Sequence, residues 1–248
     1  MKYVDAHIHL EKYSDEEIQS FFENPDLLHV LAVSMDFASS VRTLKLKNQY
    51  PERIFAACGF HPEQEVHDLD ALLHLIRSHI DQIDAIGEIG LPYYVKKNSP
   101  QVNQLVLETM LELAATWQKP VILHAVAEDV ATVFDYLQAY KIRKAHFHWI
   151  KTDTKTLSKL ANAGYYVSFT PDIWYNDETA QIAIQYPLSY ILVETDGPWR
   201  FKGPFSNQPT TPRLVEQVIL RMAKLKQVEP KRLAKILLKN SYRFLGID

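Results

Sequence analysis

Apolar residues gather in eight short runs of strand length, at positions 2–7, 30–34, 54–59, 85–88, 121–124, 145–148, 165–169 and 191–194. The segments between them carry helical spacing. Residues 14–22 open with Ser14 followed by Glu17, a capping-box pattern. Residues 101–117 place Leu105, Met110, Leu113 and Trp117 near one apolar face, and 128–140 behaves similarly. Two further helices, 212–226 and 230–245, close the chain; Pro212 and Pro230 suit first-turn positions, where a missing N–H does no harm. Strand followed by helix, eight times over, predicts an α/β fold: a (β/α)₈ TIM-type barrel formed as a single domain over residues 1–248. An open doubly wound sheet shares this alternation, but no glycine-rich fingerprint follows the first strand. The sixth and seventh runs are the weakest strands.

The length of 248 residues matches the roughly 250 of a typical barrel and suffices for one large core. Only 7 glycines and no low-complexity segment argue against disorder. The lone Cys58 excludes an internal disulfide, and with no leader-like segment the expected setting is reducing and cytoplasmic. No apolar run approaches the roughly 18–20 residues of a membrane span. A net charge of -3 argues against general nucleic-acid coating, while leaving room for a local phosphate-binding cleft. No obligate protein partner is indicated.

The chemistry collects at the strand ends. Asp5-Ala6-His7-Ile8-His9 ends the first strand, and His7 and His9, two apart in an extended segment, share a face. The third strand delivers His61, the fourth Glu88, the fifth His124 and the sixth His148, while the eighth runs into Glu194-Thr195-Asp196. In a barrel these positions converge on one rim. Four histidines (His7, His9, His124, His148) with Glu88 and Asp196 make a mixed nitrogen and oxygen set suited to Zn²⁺, Mn²⁺ or related divalent ions. Six ligands exceed a common mononuclear site, and two ions bridged by a carboxylate use them more naturally. His146 shares a strand face with His148 and competes with it as the ligand.

In their order and spacing these motifs resemble the TatD family of metal-dependent hydrolases, within the amidohydrolase-like barrels. The likeness runs through Gly59-Phe60-His61-Pro62, Gly87-Glu88-Ile89-Gly90-Leu91, Ile122-Leu123-His124, Phe147-His148 and Glu194-Thr195-Asp196-Gly197-Pro198, over essentially the whole chain. The resemblance implies two divalent ions per chain (zinc, magnesium or manganese). His7, His9 and Asp196 would hold one, His124 and His148 the other, and Glu88 would bridge them; His146 would then sit deeper in the barrel. Hydrolysis by a metal-activated hydroxide is the implied reaction. Asp196 is expected to act as proton acceptor, with Glu88 and His61 also in the catalytic set. His61 would contact a substrate phosphate oxygen or protonate the leaving group.

TatD-like proteins include deoxyribonucleases acting on single-stranded ends, which makes a DNA end, or another phosphodiester, the expected substrate. Tyr93, Tyr94, Trp149, Trp174 and Trp199 could stack on bases, and Lys96, Lys97, Arg200 and Lys202 could attract phosphates. The chain departs from the family outside the metal set. Pro92 stands where aspartate is common, and Val126 where arginine is frequent. Trp149-Ile150-Lys151-Thr152 replaces a small turn, and the loop 197–204 is unusual. Two other readings compete: an amidohydrolase or esterase on a small carbonyl substrate, including D-aminoacyl-tRNA deacylation, and a non-catalytic, metal-stabilised binding barrel.

Overall fold

A computed structural model describes residues 1–247. Eight strands appear in order: β1 (Tyr3–Ile8), β2 (Leu27–Val33), β3 (Ile54–Cys58), β4 (Ala85–Gly90), β5 (Val121–His124), β6 (Ala145–Phe147), β7 (Tyr166–Phe169) and β8 (Ile191–Val193). Each pairs in parallel with the next, from β1 through to β8. The ring is brought almost to closure by a bridge between Ile8 and Gly197, with the N–H of His9 donating to Gly197 O at 2.9 Å. The eight-stranded barrel expected from the alternation is therefore present. Every strand residue but three in β2 and β3 is buried, because helices cover the outside of the sheet and side chains fill the inside.

Nine helices accompany the strands among the described residues: α1 (Asp15–Phe22), α2 (Phe37–Gln49), α3 (Leu69–Ser78), α4 (Pro100–Trp117), α5 (Asp129–Ala139), α6 (Thr154–Ala163), α7 (Asp177–Gln185), α8 (Leu214–Lys226) and α9 (Pro230–Leu245). Ser14 and Glu17 form the capping box their spacing indicated, and Pro230 opens α9. Two details differ. Pro212 precedes α8, in a turn where the N–H of Val215 reaches Pro212 O. On α4, Leu105 is 62% exposed; the buried face runs through Val106, Met110 and Leu113, spaced by four and three residues, so Leu105 lies about 100° off it. No described helix is long and apolar enough to cross a membrane.

The inner face of the sheet forms its own cluster. Ala6, Leu31, Ala57, Ala85, Ile122, Tyr166 and Leu192 meet there, joined by Phe244 from α9. Small side chains let the strands approach near the site. A Cβ on Gly59 would lie 2.7 Å from the carbonyl carbon of Gly87, so the two glycines allow the ends of β3 and β4 to pack backbone against backbone.

Candidate metal centre

Two irregularities aim the central residues. Between Asp5 and Ile8, β1 spends three steps where β2 spends two, and β4 does the same against β5 between Ile86 and Ile89. Such an extra residue bends a strand and redirects its side chains. The bulges fall on the segments carrying His7 and Glu88. Asp5 adds a tie across the barrel seam, accepting the N–H of Thr195 at 2.9 Å and its hydroxyl at 2.5 Å. This holds the segment before Asp196 against the strand that carries His7.

Glu88 stands in the middle, and its two oxygens face different partners. Oε2 lies 3.2 Å from His7 Nε2 and 3.7 Å from His9 Nε2. Oε1 lies 2.8 Å from His148 Nε2, 3.1 Å from His124 Nδ1 and 3.5 Å from His61 Nε2. Asp196 Oδ1 completes the first group, at 3.4 Å from His7 Nε2 and 3.5 Å from His9 Nε2. The structure thus brings together all six strand-end residues and His61, every one buried.

The donors fit a divalent cation. Three groups of donor atoms lie within 4.8 Å of one another: His7, His9 and Glu88; His61, Glu88 and His124; and His7, His148 and Glu194. His7 Nε2, Glu88 Oε2, His148 Nδ1 and Asp196 Oδ1 are buried without a hydrogen-bond partner. Each unmatched group costs about 1–3 kcal/mol. Among the described residues no lysine or arginine forms an ion pair with Glu88, Glu194 or Asp196. Buried imidazole nitrogens and carboxylate oxygens that converge without a cationic side chain paired to them are what zinc- or manganese-type ions bind.

Electrostatics divide the imidazoles. Burial brings His7 down to about 4 and drives His9 well below the ordinary imidazole value, leaving both rings neutral with lone pairs to offer. Burial also opposes charge on His148, but Glu88 and Glu194 outweigh it and raise that ring well above its usual value. Asp196 is raised well above the carboxylate range by burial, with Glu88 and Glu194 adding to the rise against the effect of His148. A cation among these carboxylates relieves that repulsion.

His61 is distinguished by its other nitrogen. Nδ1 accepts the N–H of Glu63 at 3.1 Å, so in the neutral ring the proton sits on Nε2, the atom facing Glu88. A protonated nitrogen donates and does not ligate. His146 turns elsewhere: its Nε2 lies 2.6 Å from Ser168 Oγ and 3.5 Å from Glu194 Oε2, and its ring is 5.6 Å from that of Phe244.

Two further residues of the site, Glu194 and Glu63, had no role assigned from the sequence. Glu194 Oε1 accepts the N–H of Trp149 at 2.9 Å and lies 3.6 Å from His148 Nδ1, close enough for its charge to favour the protonated ring. Its position two residues before Asp196 was the available signal. Glu63 had none, because its partners lie on another loop. Its Oε1 accepts the N–H groups of Tyr93 at 3.1 Å and Tyr94 at 2.6 Å and lies 3.4 Å from His124 Nε2. Burial raises this carboxyl, but the neighbouring His124 and the Tyr94 N–H outweigh that and bring it to about 2. Glu63→Ala is expected to loosen the loop after β4 and raise KM about threefold or more, with stability changed by only about 1 kcal/mol. Steady-state kinetics with a thermal melt check this; an unchanged KM removes the loop-holding role.

A cavity of about 550 Å³ opens above the cluster, bounded by Tyr94, Lys97, Trp149, Lys151, Trp199 and Arg200. That volume lies within the range of small-molecule binding sites. Tyr93, Lys96 and Lys202 lie outside its walls, although Tyr93 sits edge-on to Tyr94 at 5.0 Å. Trp174 belongs to the packing between barrel and α8: its Nε1 donates to Gln217 O at 2.9 Å, and it lies against the Phe201, Phe205 and Leu214 cluster. It does not line the cavity.

Known proteins resemble this chain throughout. A family model described as TatD related DNase matches residues 4–246. An uncharacterized metal-dependent hydrolase of Haemophilus influenzae is 36% identical over 247 residues, covering 97% of this chain and 98% of that protein. Among solved structures, YJJV of Escherichia coli K12, a TatD homolog, aligns with a TM-score of 0.88 at 23% identity, over 99% of this chain and 98% of that one. A TatD family hydrolase from Entamoeba histolytica aligns with a TM-score of 0.86 at 17% identity, over 98% of both chains. The matches span the whole barrel; at these identities the two structures speak for its fold.

Proposed function

This chain belongs to the TatD family of metal-dependent hydrolases, and we propose that within it the protein is a two-metal phosphodiesterase that shortens single-stranded DNA ends. The observation that carries this reading is the division of donors by Glu88. One oxygen faces His7 and His9, which Asp196 also faces, and the other faces His124 and His148, beneath a mouth bounded by aromatic rings and cations.

The chemistry supplied by divalent cations bound there is acidification of a water and polarisation of the scissile phosphoryl oxygen. The chain's own residues do the rest. Asp196 lines the cavity and takes the proton of the attacking water, its Oδ1 having no hydrogen-bond partner in the protein. His61 presents its Nε2–H to a phosphate oxygen or to the departing oxygen, held in that tautomer by the backbone of Glu63. Glu88 keeps the imidazoles converged. Tyr94 and Trp199, 59% and 50% exposed, offer faces for terminal bases, while Lys97 and Arg200 draw the phosphate chain inward. Tyr93, outside the cavity wall, supports Tyr94 through its edge-on contact.

The test is cleavage of a short end-labelled single-stranded DNA by metal-stripped protein, with Mg²⁺, Mn²⁺ or Zn²⁺ restored separately. Stepwise shortening that requires the ion is expected, and the label shows which end is attacked. Fully metallated protein that leaves the DNA intact would end the nuclease reading. The search then moves to small phosphoesters, carbonyl esters, D-aminoacyl esters and amides.

A further inference from the structure

The segment just after β6 is built more firmly than a solvent loop requires. Trp149 has φ of +40°, a left-handed conformation that a bulky aromatic residue rarely adopts. Its N–H is turned inward onto two buried acceptors, Glu194 Oε1 at 2.9 Å and Ser168 Oγ at 3.1 Å. Its indole is held separately: Nε1 donates to Asp172 Oδ2 at 2.8 Å, and the ring tilts against Phe201 at 5.4 Å. Asp172 is itself buried, and it accepts hydroxyls from Thr170 at 2.9 Å and Thr179 at 3.1 Å. Two residues on, Lys151 Nζ lies 4.3 Å from the centre of the Trp149 ring and 5.8 Å from that of Tyr94, and donates to Tyr94 Oη at 3.2 Å. No carboxylate forms an ion pair with it among the described residues. Both Trp149 and Lys151 line the cavity.

An ammonium that rests on two aromatic rings without a carboxylate partner keeps its charge available for an anion. A strained backbone that places an indole beside it at the same wall is a positioning device. We propose that Trp149 and Lys151 form one subsite for a nucleotide adjoining the scissile bond: Lys151, seated on the face of the indole, holds its phosphate, and Asp172 is the positioning residue that fixes the indole. This rests on the phosphodiesterase reading and specifies its substrate as a chain with a second phosphate, not an isolated phosphodiester. Lys151 stood outside the cations picked from the sequence, because its setting arises from loops after β4 and β6 that are distant in the chain.

The test uses metal-loaded protein and two probes. One is a labelled single-stranded oligothymidylate with a cleavage-resistant phosphorothioate backbone, its Kd read by anisotropy across a salt series. The other is a comparison of turnover on the natural oligonucleotide with turnover on bis(p-nitrophenyl) phosphate, which has no second phosphate. Lys151→Met is expected to weaken oligonucleotide binding about tenfold and to reduce the salt slope by roughly 0.7, the value for one contact on a single strand. Its loss of kcat/KM should be about tenfold larger on DNA than on the small diester, and Lys151→Arg should restore most of it. Asp172→Leu should raise KM on DNA more than it lowers kcat, while Asp172→Asn, which keeps an acceptor for the indole N–H, should stay near wild type. Wild-type binding with the same Kd and salt slope in Lys151→Met would overturn the subsite while leaving the nuclease reading in place. A wild type that cleaves the small diester but neither binds nor shortens DNA would overturn both.

Discussion

Glu88→Gln is expected to lower kcat/KM by a factor on the order of 10³ or more and to release about one equivalent of metal per chain. The reason lies in the two-sided use of the carboxylate. Oε2 faces His7 and His9, and Oε1 faces His124 and His148. An amide is nearly isosteric, but it offers a lone-pair oxygen to one side only. However it is turned, its NH₂ group confronts the other set of imidazoles and removes both a donor atom and a negative charge. Elemental analysis of the purified variant, together with its rate on bis(p-nitrophenyl) phosphate, reads both effects. Full metal content with a rate within about tenfold of wild type would overturn the proposed bridging role of Glu88.

Asp196→Asn should reduce kcat by about 10²–10⁴, the range typical for loss of a general base. The choice of asparagine is dictated by the backbone. Asp196 sits at φ +50°, and asparagine adopts this left-handed conformation more readily than most residues, whereas alanine would add strain at the same point. The N–H of Asp196 donates to His7 O at 2.9 Å, and that tie survives the substitution. Lost rate with an unchanged melting profile then reports on proton transfer and metal binding. Turnover close to wild type in metal-replete buffer would pass the role of proton acceptor to another group. Metal content measured alongside separates a lost base from a lost ligand.

The barrel was legible because its information is local. Each strand is a short apolar run that must be covered on both sides, and each is followed by a segment with helical spacing; that repetition leaves few ways to bury the runs together. The strand-end chemistry was legible for the same reason. His7, His9, Glu88, His124, His148 and Asp196 each close or follow a recognisable run, and parallel strands in one barrel bring all such ends to one rim. Leu105 shows where periodicity stops at the scale of one helix. Periodicity signals that α4 has a buried side, but a step of one residue rotates the choice by about 100°, and only the packed sheet selects Val106 instead.

The sequence by itself therefore determined the eightfold strand and helix repeat, the rim on which the ionisable groups meet, and a donor set rich in imidazole and carboxylate. Tertiary structure alone decided how these groups divide. It set the two faces of Glu88, turned His146 to Ser168 and Glu194, and drew Trp174 into the packing against α8. It also joined Glu63 to the loop after β4 and Lys151 to the rings of Trp149 and Tyr94. The physical reason is that periodicity encodes which face of an element is buried, whereas loop side chains take their direction from hydrogen bonds and ring contacts to residues far away in the chain.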